Sequence, residues 1–442
     1  MKGFENIIGY EDIKEELCQI TDILQNSERY RRLGVTKPAG VLLHGVPGVG
    51  KTLMVKSLAD ASGRKVFYCR KDEPDGDFIR TLKDVFTKAG NEAPSVIILD
   101  DMDKYADVNR YDQDAEEYVT IQSCIDDAKD KDVFVAATAN SIYPFPRSLL
   151  RPGRFDRIIE VEVPRGKDAE SIVAHYIKEK AFVDDIDART IARIMDGRSC
   201  AELEKVINEA GIFAGYQNSN KITMDHFLEA CMRTVFHAPA CSVPKSDADD
   251  FSFLTETLMN YCNESRLLPQ VICHEAGHAV LSEILCPGSV TLVSSYSKGG
   301  DEGGFTSCYH DESIDNYRWT ESRILCSLGG MAAVEQNYGA IGIGASSDLD
   351  QAFQYVQALV TSECVCGFSL HSLRGRDSAV LRARQEQAVA SEVERYYRKA
   401  KQLLAANDSF FRTIVHALGE KKLLTAPDIK KIRERCNIQP SV

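Results

Sequence analysis

The sequence predicts an α/β region built on a parallel β-sheet, followed by a mainly α-helical region. Three observations carry this expectation. Gly45-Val46-Pro47-Gly48-Val49-Gly50-Lys51-Thr52 stands between a short apolar strand and a helix, where a phosphate-binding loop of pattern GxxxxGK[ST] must stand. Ser95–Leu99 carries an unbroken Val-Ile-Ile-Leu run and ends in Asp100-Asp101, as expected of a central parallel strand. Residues 271–285 form an apolar helical stretch that carries His274, Glu275 and His278 in HExxH spacing.

Taken in order, residues 4–24 alternate acids with apolar residues at helical spacing, and Pro38-Ala39-Gly40 leads into the strand Val41-Leu42-Leu43. In the loop that follows, glycines let backbone N–H groups close around phosphates at the start of a helix over 53–61. Lys51 would meet the β and γ phosphates of a nucleoside triphosphate and Thr52 a Mg²⁺ ion, with Gly45, Pro47, Gly48, Val49, Gly50 and Leu53 completing the binding segment. Asp100 is the expected Mg²⁺ partner, the alternative being a solvated carboxylate at a strand end. A further buried strand, Val133–Ala139, ends at Asn140, which is placed to orient the attacking water or to serve as a plain turn residue.

Composition narrows the rest. With 442 residues, 44% hydrophobic and 27% charged, the chain is globular material with room for about two to four domains. A net charge of −13 argues against a nucleic-acid partner. The 14 cysteines are scattered, as in reduced cytosolic proteins, and the close pair Cys364 and Cys366 lacks a second pair to complete a metal site. No apolar run reaches the ~18 residues of a membrane span and no signal peptide opens the chain, so it reads as soluble and cytoplasmic.

On a helix, His274 and His278 leave the same face and can hold one Zn²⁺. Glu275 beside them can act as base on a water that the metal acidifies. Two satisfied core histidines are the alternative, but two imidazoles and an acid inside a helix of Val271, Ile272, Ala276, Ala279 and Val280 would be costly without a strong partner. Val290–Ser294 reads as an edge strand with which an extended substrate could pair, followed by a loop of Gly299, Gly300, Gly303 and Gly304. Residues 391–417 are charged, amphipathic and helical, and read as scaffold, to which the resemblance given below adds a ring contact.

Several further stretches carry a resemblance: Ile7-Ile8-Gly9-Tyr10-Glu11-Asp12, Glu28-Arg29-Tyr30-Arg31-Arg32-Leu33-Gly34, Leu149-Leu150-Arg151-Pro152-Gly153-Arg154-Phe155-Asp156-Arg157 and Gly344-Ala345-Ser346-Ser347-Asp348-Leu349. With the phosphate loop and the HExxH helix, in this order, they resemble the FtsH family of ATP-dependent zinc proteases from residue 4 to about residue 432. The resemblance implies an AAA+ module with a five-stranded parallel sheet and flanking helices, a helical lid and a mainly α-helical zinc peptidase, assembled as a homohexamer. The corresponding ranges are 1–165, 166–236, a linker at 237–252 and 253–442. The resemblance further makes Arg154 and Arg157 fingers that reach a neighbouring subunit's nucleotide, and Asn140 the first sensor. It lays Ile7, Ile8 and Gly9 against the adenine, puts Ala201 in the second-sensor segment and makes Asp348 the third zinc ligand. The alternative for Asp348 is a helix N-cap ahead of a helix over 349–361.

The chain departs from the family pattern in three places. It enters the AAA+ module within a few residues of Met1, where relatives carry membrane spans. Asp101 stands where the family has a water-orienting glutamate, which draws the carboxylate back by more than ~1 Å and predicts intact ATP binding with slow hydrolysis. Residues 67–78 are short and lack the aromatic pore motif, which points to loosely folded substrates or to Tyr68 or Phe78 as substitute grips. The function expected is ATP-dependent zinc-catalysed cleavage of unfolded or loosely folded proteins. The alternative is an AAA+ remodelling or scaffold ATPase with weak or absent proteolysis.

Overall fold

Five strands, β1 (Gly40–His44), β2 (Lys65–Cys69), β3 (Ser95–Leu99), β4 (Val133–Ala139) and β5 (Arg157–Glu160), pair in parallel in the order β2-β3-β4-β1-β5. Every residue of β3 and β4 is buried, which suits inner strands covered on both faces, whereas β5 at one edge buries one residue in four. This is the five-stranded sheet that the sequence led us to expect. Its order sets β4 between β1 and β3, so the segments after those three strands, which hold the phosphate loop, Asp100 and Asn140, emerge side by side. The core around the sheet joins Leu42, Ile97, Val135 and Ala137 to Leu82, Phe86, Tyr118 and Ile121 of the helices Phe78–Asn91 and Glu116–Ala128.

The computed structural model describes residues 3–71, 77–106, 115–178, 180–183, 186–237, 268–296, 303–309, 317–339, 343–362 and 379–440. All but the first residue of the expected linker, the pair Cys364 and Cys366, and Gly299 and Gly300 lie outside the described residues. The chain forms two compact units, residues 1–179 with 187–205, and residues 180–186 with 206–442. The division runs through the helix Cys200–Tyr216, within the segment read as a lid. That segment is helical as expected, over Gly166–Lys178, Ala188–Ile194, Cys200–Tyr216 and Met224–Thr234.

Several expectations need correction in the first unit. The first helix covers Glu11–Gln25 and starts after Tyr10, whose left-handed backbone (φ 55°) stops it from extending back to residue 4. The helix after the phosphate loop begins at Lys51 rather than at residue 53, directly behind Gly50 with φ 98°, a conformation that a side chain would strain. Phe78 cannot grip a substrate: it is 8% exposed, with its ring edge-on to Tyr105 at 4.7 Å. Tyr68, on β2, is 55% exposed.

In the second unit the helix Leu268–Leu285 lies at the centre of an α-helical core. Its Ile272, Ala276, Val280 and Ile284 pack with Ile324 and Leu328 of Tyr317–Tyr338, Val356 of Ser346–Thr361, Tyr396 of Ala379–Ala406 and Ile414 of Asp408–Lys421. Beside it, β6 (Val290–Ser294), β7 (Phe305–Cys308) and β8 (Leu423–Thr425) form an antiparallel sheet in the order β7-β6-β8. The strand read as an edge, β6, is therefore central, paired on both sides, and has no free backbone row for a substrate. The partner that covers its second side, β8, comes far later in the chain, and β7 and β8 take the two edge positions among the described residues. No helix among the described residues is long and apolar enough to cross a membrane.

The helices Leu268–Leu285 and Tyr317–Tyr338 approach at backbone distance. A Cβ added to Gly277 would lie 2.3 Å from the Gly329 carbonyl oxygen and 2.7 Å from the Ala333 methyl. We expect Gly277→Ala to lower the stability of this unit by about 1–3 kcal/mol through overpacking. A fall in the melting temperature measures it, and an unchanged melt would show that the crossing has slack.

Candidate metal centre and nucleotide site

One turn of helix sets His274 and His278 on a common face, and their rings meet edge-to-face with centroids 4.6 Å apart. Asp348 reaches them from the first turn of Ser346–Thr361, its Oδ2 lying 3.0 Å from His274 Nε2 and 3.3 Å from His278 Nε2. That helix begins at Ser346, three residues earlier than expected, and its N-cap position, Ala345, carries no side-chain cap. The carboxylate of Asp348 thus faces the imidazoles rather than capping the helix. His278 Nδ1 lies 2.7 Å from the Cys326 carbonyl oxygen, to which it must donate, leaving Nε2 as a lone-pair donor.

Two imidazole nitrogens and a carboxylate oxygen, all within 4.8 Å of one another, are a donor set that Zn²⁺ accepts. The electrostatics agree. Burial opposes charge on His278, but the hydrogen bond to Asp348 and the carboxylates of Glu275 and Asp348 outweigh it and push its pKa up to about 9. Burial raises the pKa of Asp348 as well, yet its two histidine partners hold it well below the usual carboxylate range. Glu275, 5% exposed, is pushed up by burial, with the histidines and the Thr306 hydroxyl opposing. A pocket that favours a cation between its donors, with a buried carboxyl beside it, suits a metal and a base.

In the other unit, Lys51 Nζ donates to the carbonyls of Gly45 (2.7 Å) and Val46 (2.9 Å) and to Asn140 Oδ1 (3.0 Å). Thr52 Oγ1 donates to Asp100 Oδ1 at 2.8 Å. Residues expected at a nucleotide site are thus brought together from three strand ends. Ala201 N–H donates to the Gly48 carbonyl at 3.0 Å, which places the segment that carries Ala201 on the loop. Behind Ile8 and Gly9, Tyr10 N–H bonds Asp168 Oδ1 and the Tyr10 hydroxyl bonds the Glu162 carbonyl, both at 2.9 Å. Pro47 and Leu53 are exposed, whereas Val49 is buried.

Asp101 adopts a left-handed backbone, and its Oδ2 is 2.7 Å from Lys104 Nζ and 4.0 Å from Arg70 Nη2. Arg154 is engaged within its own chain: it donates to Asp126 (2.8 Å), Gln122 (2.9 Å) and the Ser148 carbonyl (2.6 Å). That pairing, with Lys129, holds Asp126 at about 2. Arg157 is about half exposed, with a looser contact to Glu16 at 3.6 Å.

Sequence reasoning missed three contributors. Thr138 donates to Asp100 Oδ1 (2.7 Å) and accepts from Asp101 N–H (2.9 Å), so it aligns both acids; a threonine within an apolar buried strand was the signal. Thr306 lies on Glu275. At Gly330 an added Cβ would come within 2.5 Å of His274 Cε1 and His278 Nε2, and the adjacent glycines Gly329 and Gly330 within a helix could have flagged it. We expect Gly330→Ala to displace the imidazoles and lower bound zinc per chain severalfold, measured by elemental analysis; full zinc content would show that the ligands tolerate the shift.

Residues 41–163 match the family described as "ATPase family associated with various cellular activities (AAA)", and residues 264–432 match "Peptidase family M41". The chain is similar to ATP-dependent zinc metalloprotease FtsH 2 of Sphaerobacter thermophilus, with 31% identity over 81% of the chain and 54% of that protein. It is similar to FtsH 3 of the same organism, with 31% identity over 84% of the chain and 74% of the relative. To FTSH 11, chloroplastic/mitochondrial, of Arabidopsis thaliana it is 29% identical over 98% of the chain and 53% of the relative. The chain thus spans about half the length of the first and third of these relatives. Both family matches, in this order on one chain, and the extent of the likeness to FtsH 3 show that the chain belongs to the FtsH family of AAA ATPase–zinc metallopeptidases.

Proposed function

We propose that the chain is an ATP-dependent zinc endopeptidase that cleaves unfolded or loosely folded proteins, working in the cytoplasm as a homohexameric ring that feeds a peptidase chamber. The observation that carries this is the convergence of His274, His278 and Asp348 with Glu275 alongside. Zn²⁺ held by those three residues would polarise the scissile carbonyl and acidify a water. Glu275 would take a proton from the attacking water and return it to the leaving amine. Its burial keeps bulk solvent away from the proton it handles.

On the motor side, Lys51 would hold the phosphates of ATP, while Thr52 and Asp100 would hold Mg²⁺. Asn140 would orient the attacking water, helped less well by Asp101, whose carboxylate is drawn toward Lys104. Arg154 and Arg157 reach the nucleotide of the next subunit, Arg154 by exchanging Asp126 and Gln122 for phosphate oxygens. Residues 1–165 form the nucleotide-binding part, 166–236 the lid, 237–252 the linker and 253–442 the peptidase.

Casein, incubated with the purified chain, tests the peptidase. We expect ATP-stimulated cleavage that a zinc chelator abolishes and that Glu275→Gln slows by about 10²-fold to 10⁴-fold, the usual worth of a general base. Undiminished cleavage by Glu275→Gln would refute the assigned base, and no cleavage under any condition would favour the scaffold ATPase. For the motor, Asp101→Glu extends the carboxylate past its contact with Lys104, and ATP turnover should rise by about tenfold, within the range that an ångström of misplacement costs. Equal turnover by the two proteins would sink that account.

A further inference from the structure

Glu275 owes part of its burial to strand β7. A Cβ added to Gly304 would lie 2.5 Å from Glu275 Cγ and 2.5 Å from the Ser294 carbonyl oxygen, so the chain entering the strand rests on the glutamate itself. Two residues on, the Thr306 hydroxyl is 2.8 Å from Glu275 Oε2 and 3.1 Å from the Glu275 carbonyl oxygen. Thr306 is itself well anchored. Phe305 and Thr306 pair with Ser294 and Val293 of β6, and the Phe305 ring stacks on Phe236 at 4.1 Å, with 9° between the planes. A β-branched side chain on a paired strand has little rotamer freedom, whereas a glutamate has three rotatable bonds.

We propose that Thr306 is a positioning residue for peptide cleavage, its hydroxyl donating to Glu275 Oε2 and fixing where the carboxylate meets the attacking water. The role rests on the reading of Glu275 as general base. A misplacement of about 1 Å at such a group costs up to about 10²-fold in rate. Thr306 does not touch the substrate's reacting atoms and acts through Glu275 alone.

Two substitutions separate the hydroxyl from the shape. Thr306→Val removes the donor at nearly constant volume, and Thr306→Ser keeps it. With casein and ATP, Thr306→Val should lower kcat by about tenfold or more, by the positioning argument, with KM, bound zinc and ATP turnover unchanged. Thr306→Ser should restore most of the rate. Full kcat in Thr306→Val, equal impairment of both variants, or loss of zinc in Thr306→Val would each overturn the proposal. The contact is also read without activity, from the melting temperatures of Glu275→Ala, Thr306→Val and the double variant. Non-additive shifts support it and additive shifts overturn it. An unsubstituted chain that cleaves no casein would count against the endopeptidase reading, whereas additive melting counts against the contact, so the two failures are distinct.

Discussion

The helix that carries the two histidines meets the helix Tyr317–Tyr338 at glycines on both sides, and the cluster of His274, His278 and Asp348 depends on that crossing. Gly277 and Gly329 remove the side chains that would hold the axes apart, and Gly330 leaves room for both imidazoles against the neighbouring backbone. Close approach brings the Cys326 carbonyl to His278 Nδ1, which sets the tautomer and turns Nε2 toward Asp348. Packing and chemistry are one constraint here. The apolar residues that make Leu268–Leu285 a core helix also hold its few polar groups where each finds a partner, as burial demands.

The nucleotide end obeys the same rule with different parts. A parallel sheet covered on both faces leaves polar groups only at its strand ends, and the order of strands decides which ends are neighbours. Thr138, fully buried near the end of β4, bridges Asp100 and the backbone of Asp101, so the geometry of the acidic pair is fixed from the adjacent strand. The carboxylate of Asp101 points instead to Lys104 and Arg70. The backbone there is set up for chemistry, while the side chain is drawn toward cations on its own side.

What could be read from the residues alone was whatever is contiguous. The phosphate loop, the apolar strands β3 and β4 and the HExxH helix are local patterns whose periods and turn residues act over a few positions. Asp348 lies far along the chain from the histidines, and only resemblance to a family singled it out before the fold placed it between them. Long-range pairing accounts for the errors. Nothing near Val290–Ser294 announces that Leu423–Thr425 will cover its second side, so β6 reads as an edge. Phe78 has the look of an exposed aromatic at a loop end, but its burial comes from Tyr105, reached only through the tertiary fold. Thr306 was invisible for the same reason, since a threonine in a short strand carries no mark of the glutamate it will meet.

The pairing of β6 with β8 also orders events in time. Leu423–Thr425 is followed by the helix Ala426–Arg435, whose Arg433 reaches the buried carboxylate of Glu283 at 3.7 Å, and Glu283 in turn accepts from the backbone N–H groups of Gly288 and Val290. The loop that leads from the histidine-bearing helix into the sheet is therefore held by segments that come far later in the chain. During synthesis the histidines, the glutamate and the aspartate all emerge before the strand and arginine that complete their surroundings. A growing chain thus carries the side chains of the site well before it holds their surroundings together.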